Sequence, residues 1–326
     1  MNKTCKTLIK AAGAIAVIAV LATVIVSVLL LNYSITPSEK HGRDSVYTWK
    51  KLSRRYPAVY KWTDSLRRAG CIKDTFINAH DGHRHHAVYV RAAAHDDRTA
   101  VLVHGYGESW VAMLPQARIY YRLGYNLLLP DLHGNGLSDG DDEQMGWKDR
   151  LDVLEWAHVA DSLFAPRGKH TRMILHGVSM GAATVMCVSG GNTPEYIKCF
   201  IEDCGYTSVN DEFSYELSNL FSLPRFPVMP AASAMCRLRW GWWFGDASPV
   251  DAVVRCRKPM LFIHGSNDTY VPTRMVYPLY KAKPQPKELW IVPGARHARS
   301  ILLRPEEYAA HIKAFTDKYI GKTLKL

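Results

Sequence analysis

Apolar positions divide the chain into three regions with different rhythms. The first is unbroken: residues 11–31 read AAGAIAVIAVLATVIVSVLLL, with no charge. As a helix this run spans about 31 Å, the thickness of a hydrocarbon core. The second, residues 46–70, mixes Trp and Tyr with Lys50, Lys51, Arg54, Arg55, Lys61, Arg67 and Arg68, and is interrupted at Pro57. It predicts a basic amphipathic segment. Two roles are open to it: lying on an anionic membrane surface, or packing its aromatic face on the rest of the protein. The third begins near residue 75 and alternates short continuous apolar runs with amphipathic ones.

In that third region, residues 75–79 and 87–91 flank Asp81-Gly82 and predict an antiparallel hairpin. Residues 99–103, 126–130, 173–176, 199–202, 260–263 and 289–292 are short apolar runs, the pattern of strands buried on both faces. Helical periodicity covers residues 109–123, 146–163, 180–188, 274–282 and 306–319. The alternation predicts an α/β fold: a mostly parallel central sheet with helices on both faces. Residues 211–246 break the rhythm with Phe, Met, Trp and Pro, and predict an inserted helical cap. Such a cap suits acyl or aromatic groups, although ordinary core packing has the same composition.

The expected organisation is therefore a cytoplasmic tail at 1–10, a transmembrane anchor at 11–31, a juxtamembrane segment at 32–71 and a catalytic domain at 72–326. Lys3, Lys6 and Lys10 before the apolar run set the N-terminus inside and the domain outside the cytoplasm. The rival is a cleaved signal peptide and a secreted product, against which stand a long apolar run and no clear small-x-small site. The formal net charge of +11 favours an anionic surface, and without a nucleic-acid module the expected partner is membrane lipid, with no nucleic acid. None of the seven cysteines has zinc-finger or redox spacing. Cys199 and Cys204 are expected on opposite faces of one strand, and a Cys236–Cys256 bridge stays open.

The chemistry enters at Gly177-Val178-Ser179-Met180-Gly181, between an apolar run and a helix-forming run. A serine hydroxyl becomes a useful nucleophile when a sharp turn exposes it beside a base and amide donors, and the glycines permit that turn. An open parallel sheet places its site beyond the C-terminal ends of its strands. One such loop is His104-Gly105-Tyr106-Gly107-Glu108-Ser109. It makes the amide of Tyr106 an oxyanion donor, with that of Met180 as the second. Another, His264-Gly265-Ser266-Asn267-Asp268, offers Asp268 as the acid, although an Asx turn explains an Asp equally. A third, Pro293-Gly294-Ala295-Arg296-His297-Ala298, offers His297 as the base. Asp203 is the reserve acid.

In order and spacing, HGYG, DLHGNGLSDG, GVSMG, HGSNDTYVP and GARHA resemble the marker loops of the α/β-hydrolase superfamily, over residues 72–320. EDCGYTSVNDEF and the Pro- and Trp-containing cap resemble, more narrowly, membrane-anchored bacterial esterase-like hydrolases near the dienelactone hydrolase and serine aminopeptidase groups. The resemblance implies an α/β-hydrolase fold, a Ser179–His297–Asp268 triad and acyl transfer from a small-molecule ester, thioester or amide, with no cofactor or metal. Arg296 departs from the Gly often found there and is expected to add charge at the pocket mouth.

Two clusters are expected to carry no chemistry. His80-Asp81-Gly82-His83-Arg84-His85-His86 looks like a metal cluster, but strand alternation and an exposed turn predict divergent, solvated ligands. Asp139, Asp141, Asp142 and Glu143 lack calcium-loop spacing and are expected to cap the next helix. Esterase is the leading function. A peptidase with the same triad needs a group to recognise a peptide terminus, and no carboxylate pair stands out in the sequence. A non-catalytic membrane scaffold would carry a broken triad.

Overall fold

A computed structural model of the chain describes residues 3–36, 45–92 and 97–321. Residues 1 and 2 of the expected tail, residues 37–44 of the juxtamembrane segment and the last residues of the expected domain lie outside them, as do the side chains of Lys3 and Lys6. The apolar run belongs to α1 (Lys3–Ile35), which is long and apolar enough to cross a membrane. From residue 7 to residue 22 its side chains are exposed, whereas Ser27, Leu31 and Ile35 are buried. Those three recur at a spacing of four, which puts them on one stripe. The end of this helix is therefore built into the body of the protein.

The basic segment forms α2 (Ser45–Arg55) and α3 (Pro57–Arg68), with Pro57 at the first position of α3, where its missing N–H costs nothing. Leu52, Val59, Thr63 and Leu66 are buried, and the Trp62 ring lies tilted against Tyr121 with centroids 5.5 Å apart. Of the two readings of this segment, packing on the domain is the one observed.

Eight strands form one sheet: β1 (Lys73–Asn78), β2 (Arg84–Val90), β3 (Arg98–Val103), β4 (Asn126–Pro130), β5 (Arg172–Val178), β6 (Ile197–Asp203), β7 (Met260–Gly265) and β8 (Lys287–Val292). Their order is β1-β2-β4-β3-β5-β6-β7-β8. β1 and β2 run antiparallel, β2 meets β4 antiparallel, and the rest are parallel. Strands β3, β4 and β7 are buried at every position, which is why their sequences are continuous rather than alternating.

One face is covered by α5 (Asp149–Phe164), α6 (Met180–Ser189), α9 (Pro249–Arg255) and α10 (Val276–Ala282), around Trp156, Met186 and Phe262. The other carries α2, α3, α4 (Leu114–Arg122) and α12 (Pro305–Tyr319), around Tyr120, Ile174 and Phe315. A short α11 (Ser300–Leu303) precedes α12. The periodic stretch at 109–123 opens as a 3-10 turn, Trp110–Met113, because Pro115 fits only the first turn of a helix. Between β6 and β7 lie α7 (Val209–Phe221) and α8 (Arg225–Trp240). Helix α8 packs against the end of α1: the Ser27 hydroxyl donates to the Val228 carbonyl at 3.2 Å, and Arg239 donates to the Asn32 side chain at 2.8 Å.

Three sequence expectations need correction. Cys199 and Cys204 lie in the same core layer, because Cys204 follows the end of β6 at a positive φ and strand alternation no longer applies. They are free thiols, as are Cys236 and Cys256. Asp142 and Glu143 cap no helix: α5 has Lys148 at its N-cap without a side-chain cap bond, and both acids are buried. Finally, His85 and His86 point to opposite faces, as alternation requires, but both are fully buried rather than solvated.

Candidate active site

Ser179 sits between the end of β5 and the start of α6, with φ 58° and ψ −119°. A non-glycine residue rarely adopts that conformation, and its strain is held by tight packing on both sides. A Cβ on Gly177 would lie 2.0 Å from the Gly181 carbonyl oxygen, and one on Gly181 would lie 2.1 Å from that of Val103. Glycine is therefore required at both positions by close backbone approach. The Ser179 amide is fixed by donation to the Asp203 carbonyl at 2.8 Å.

His297, from the loop after β8, has Nε2 2.9 Å from the Ser179 hydroxyl oxygen. Its Nδ1 lies 2.8 Å from Asp268 Oδ2. The three candidate residues, separated widely in sequence, thus form one hydrogen-bonded relay. Asp268 is held by its other oxygen, which accepts the amides of Tyr270 and Val271 at 3.0 Å each. Burial opposes charge on Asp268, but hydrogen bonds from His264 and His297 outweigh it and hold the carboxyl below its ordinary range. His264, a residue the sequence did not flag, lies 3.4 Å from Asp268 Oδ2 and also reaches the Val271 carbonyl at 2.9 Å. Asp203, the reserve acid, is engaged elsewhere: its Oδ2 accepts the Tyr308 hydroxyl at 2.8 Å.

The loop carrying Tyr106 presses against the serine. A Cβ on Gly105 would lie 3.3 Å from Ser179 Cβ, and Tyr106, Ser179 and Met180 border one cavity. At the first position of α6, the Met180 amide has no acceptor within its own helix. The same loop is tied down from behind. Glu143 Oε1 accepts the Gly107 amide at 3.1 Å, Asp131 Oδ1 accepts the Trp110 amide at 2.8 Å, and His104 Nε2 accepts the Leu132 amide at 2.9 Å. Sequence reasoning missed these supports because they join loops that only the β3–β4 pairing makes neighbours.

Two cavities meet at Ser179. The larger, about 530 Å³, is walled by Met180, Leu217, Val228, Met229 and Phe244, and by Leu30, Leu31 and Tyr33 at the end of α1. The smaller, about 300 Å³, lies on the α2 side and includes His297, Lys51, Arg55 and Arg299. Arg296, expected at the pocket mouth, is exposed, and Arg299 occupies the cavity wall instead. Glu212 and Glu216 stand one turn apart on α7 and line the larger cavity. Burial, then the charge of Glu216, pushes the Glu212 carboxyl up to about 9.

Residues 100–311 match the model of the alpha/beta hydrolase family. An uncharacterized protein of Bacillus subtilis, YqkD, is 29% identical over 233 residues, covering 71% of this chain and 75% of its own. Among solved structures, the Pyrococcus furiosus esterase Pf2001 superposes with a TM-score of 0.62 at 23% identity, covering 77% of this chain and 93% of its own. A Mycobacterium tuberculosis puromycin-hydrolyzing peptidase superposes at 0.59 with 16% identity, covering 77% of this chain and 39% of its own. At those identities the two structures speak to the fold alone. The family match, the mixed sheet and the strand-turn-helix at Ser179 agree: the chain belongs to the alpha/beta hydrolase family.

Proposed function

We propose that the protein is a membrane-anchored serine hydrolase that cleaves carboxylic esters, or thioesters, of lipid-like substrates. The observation that carries this reading is the relay Ser179–His297–Asp268, at 2.9 and 2.8 Å, opening onto an apolar cavity of about 530 Å³. His297 takes the hydroxyl proton as Ser179 attacks the acyl carbon, and Asp268 stabilises the resulting imidazolium. The amides of Tyr106 and Met180 receive the developing oxyanion. His297 then protonates the leaving group, and water, activated by the same imidazole, releases the acid. The acyl chain lies in the larger cavity. The leaving group faces Lys51, Arg55 and Arg299, which suit a polar or anionic headgroup.

In this reading α1 crosses a bilayer with its N-terminus on the cytoplasmic side and the domain outside. Support comes from the way the helix ends: its exposed part is apolar, and its last turns wall the acyl cavity. Leu220, Phe221, Phe226, Leu238 and Trp243 of the cap are exposed, giving the same end of the molecule an apolar rim. An ester dissolved in the membrane would then reach Ser179 without fully entering water. The test is hydrolysis of p-nitrophenyl esters by the full chain in detergent micelles. Ser179→Ala is expected to lose at least about 10³-fold of the rate, and unchanged turnover would reject the reading.

Glu212 and Glu216 favour a second reading, a peptidase with the same relay. A pair of carboxyls one turn apart beside the nucleophile is the group that peptide-amine recognition needs and that sequence reasoning did not find. A panel of aminoacyl amides against acyl esters separates the two. A preference for the amides that Glu212→Gln abolishes would favour the peptidase.

A further inference from the structure

We infer that the protein holds a structural zinc ion between Asp81, His85 and His133, at the end of the β1–β2 hairpin. The inference is independent of the hydrolase reading and concerns a different part of the molecule. One ligand atom from each of the three residues lies within 4.8 Å of the other two. Asp81 Oδ2 is 3.2 Å from His133 Nδ1 and 3.8 Å from His85 Nε2. Ligands at zinc distances on a tetrahedron stand about 3.3 Å apart, so small side-chain adjustments complete the cup. Nitrogen and carboxylate donors in a four-coordinate geometry suit zinc better than calcium or magnesium.

Two further observations point to a cation. First, His85 is fully buried, yet neither ring nitrogen has a hydrogen-bond partner, and His133 Nδ1 also has none. Buried polar atoms without partners are rare in native proteins. Second, the atoms behind the cup form an outer shell. His85 Nδ1 is 3.6 Å from Asp152 Oδ2, and His133 Nε2 is 3.2 Å from Asp142 Oδ1. Asp81 Oδ1 accepts the His83 amide at 2.9 Å. Carboxylates on the far nitrogens orient metal-binding imidazoles in just this way. The His133 ring is also wedged: a Cβ on Gly140 would come within 2.3 Å of it. Water, or the exposed His83 whose ring lies 5.0 Å from that of His133, supplies the fourth ligand.

Such an ion would clip the hairpin turn to the loop that follows β4. That loop carries Asp131 and Glu143, which hold the Tyr106 loop from behind. Within the histidine run itself, His85 and its neighbour His86 diverge across the strand. The partner of His85 is His133, which lies beyond the run and across the β2–β4 pairing.

The test is zinc binding to the full chain in detergent micelles, stripped with EDTA, then titrated with ZnCl₂ against a chromophoric chelator and followed by thermal melting. One zinc per chain and a raised Tm are expected. Asp81→Asn and His133→Ala should each weaken binding at least 100-fold and abolish the Tm increase, while His170→Ala, at an exposed histidine, leaves both unchanged. Asp81→Asn retains the acceptor for the His83 amide, and a metal-free circular dichroism spectrum equal to the wild type shows that each variant is folded. Wild-type chain that takes up no zinc at micromolar concentration, or binding that survives both substitutions, would overturn the inference.

Discussion

The apolar cavity makes a quantitative demand on substrate preference. If the acyl chain enters it, each added methylene leaves water and gains about 0.8 kcal/mol in the transition state, or about fourfold in kcat/KM. From butanoate to octanoate the four added methylenes give about 3 kcal/mol, a rise of about two hundredfold. That is an upper limit, reached if the walls are already dry and need no rearrangement. The cavity, about 530 Å³, is lined mainly by apolar side chains, among them Leu217, which is 5% exposed. Leu217→Trp projects a larger side chain from α7 into the same space. It should leave acetate hydrolysis within about twofold of wild type and cut the octanoate advantage to under about tenfold. The assay is kcat/KM on a p-nitrophenyl ester series at constant leaving group, below the micellar concentration of each ester. A wild-type slope under about 1.5-fold per methylene, or an unchanged slope in Leu217→Trp, would refute this placement of the acyl chain.

Other substitutions probe separate parts of the site. Asp268→Asn removes the acceptor that fixes the His297 tautomer, and kcat should fall by about 10⁴-fold with KM little changed. Stopped-flow acylation kinetics would expose a smaller effect. Gly181→Ala forces a Cβ to 2.1 Å from the Val103 carbonyl, so α6 must move off β3. A loss of about 1–3 kcal/mol in stability is expected, together with loss of activity, both readable from denaturant titration and ester hydrolysis. Glu212 has an ordinary value of 4.5 and is raised to about 9 in the folded protein, first by burial. The folded state therefore binds the proton more tightly than the unfolded one. Its stabilising effect is complete below pH 4.5 and is lost as pH rises to about 9. Glu212→Gln removes this titration, so melting across that range should show the variant gaining on wild type as pH rises. Parallel melting curves would contradict the assignment.

Local pattern makes the strands and the strand-turn-helix at Ser179 readable from the sequence. Residues 126–130 are the whole of β4, because a strand buried on both faces leaves a continuous apolar run with abrupt ends. Ser179 was legible because its glycines answer to backbone contacts as close as 2.0 Å, a constraint that only glycine meets. His297 and Asp268 were legible through strand order, since loops at one sheet edge must converge. What stayed hidden depends on contacts between elements far apart in sequence. The Ile35 carbonyl accepts the Glu143 amide at 2.6 Å, and no periodicity in either segment announces that meeting. The pairing of Glu212 with Glu216 needed the face of α7 to be known. His85 and His133 come together only through the register of β2 on β4, where Ala87 pairs with Pro130.

In the proposed mechanism Ser179 is a nucleophile activated by His297. The most direct test is labelling of the full chain by a fluorophosphonate probe, with the modified peptide identified by mass spectrometry. One phosphonylated residue, Ser179, is expected, with labelling absent in Ser179→Ala and strongly slowed in His297→Ala. A native, folded chain that stays unlabelled, or that is labelled equally well without His297, would contradict the mechanism.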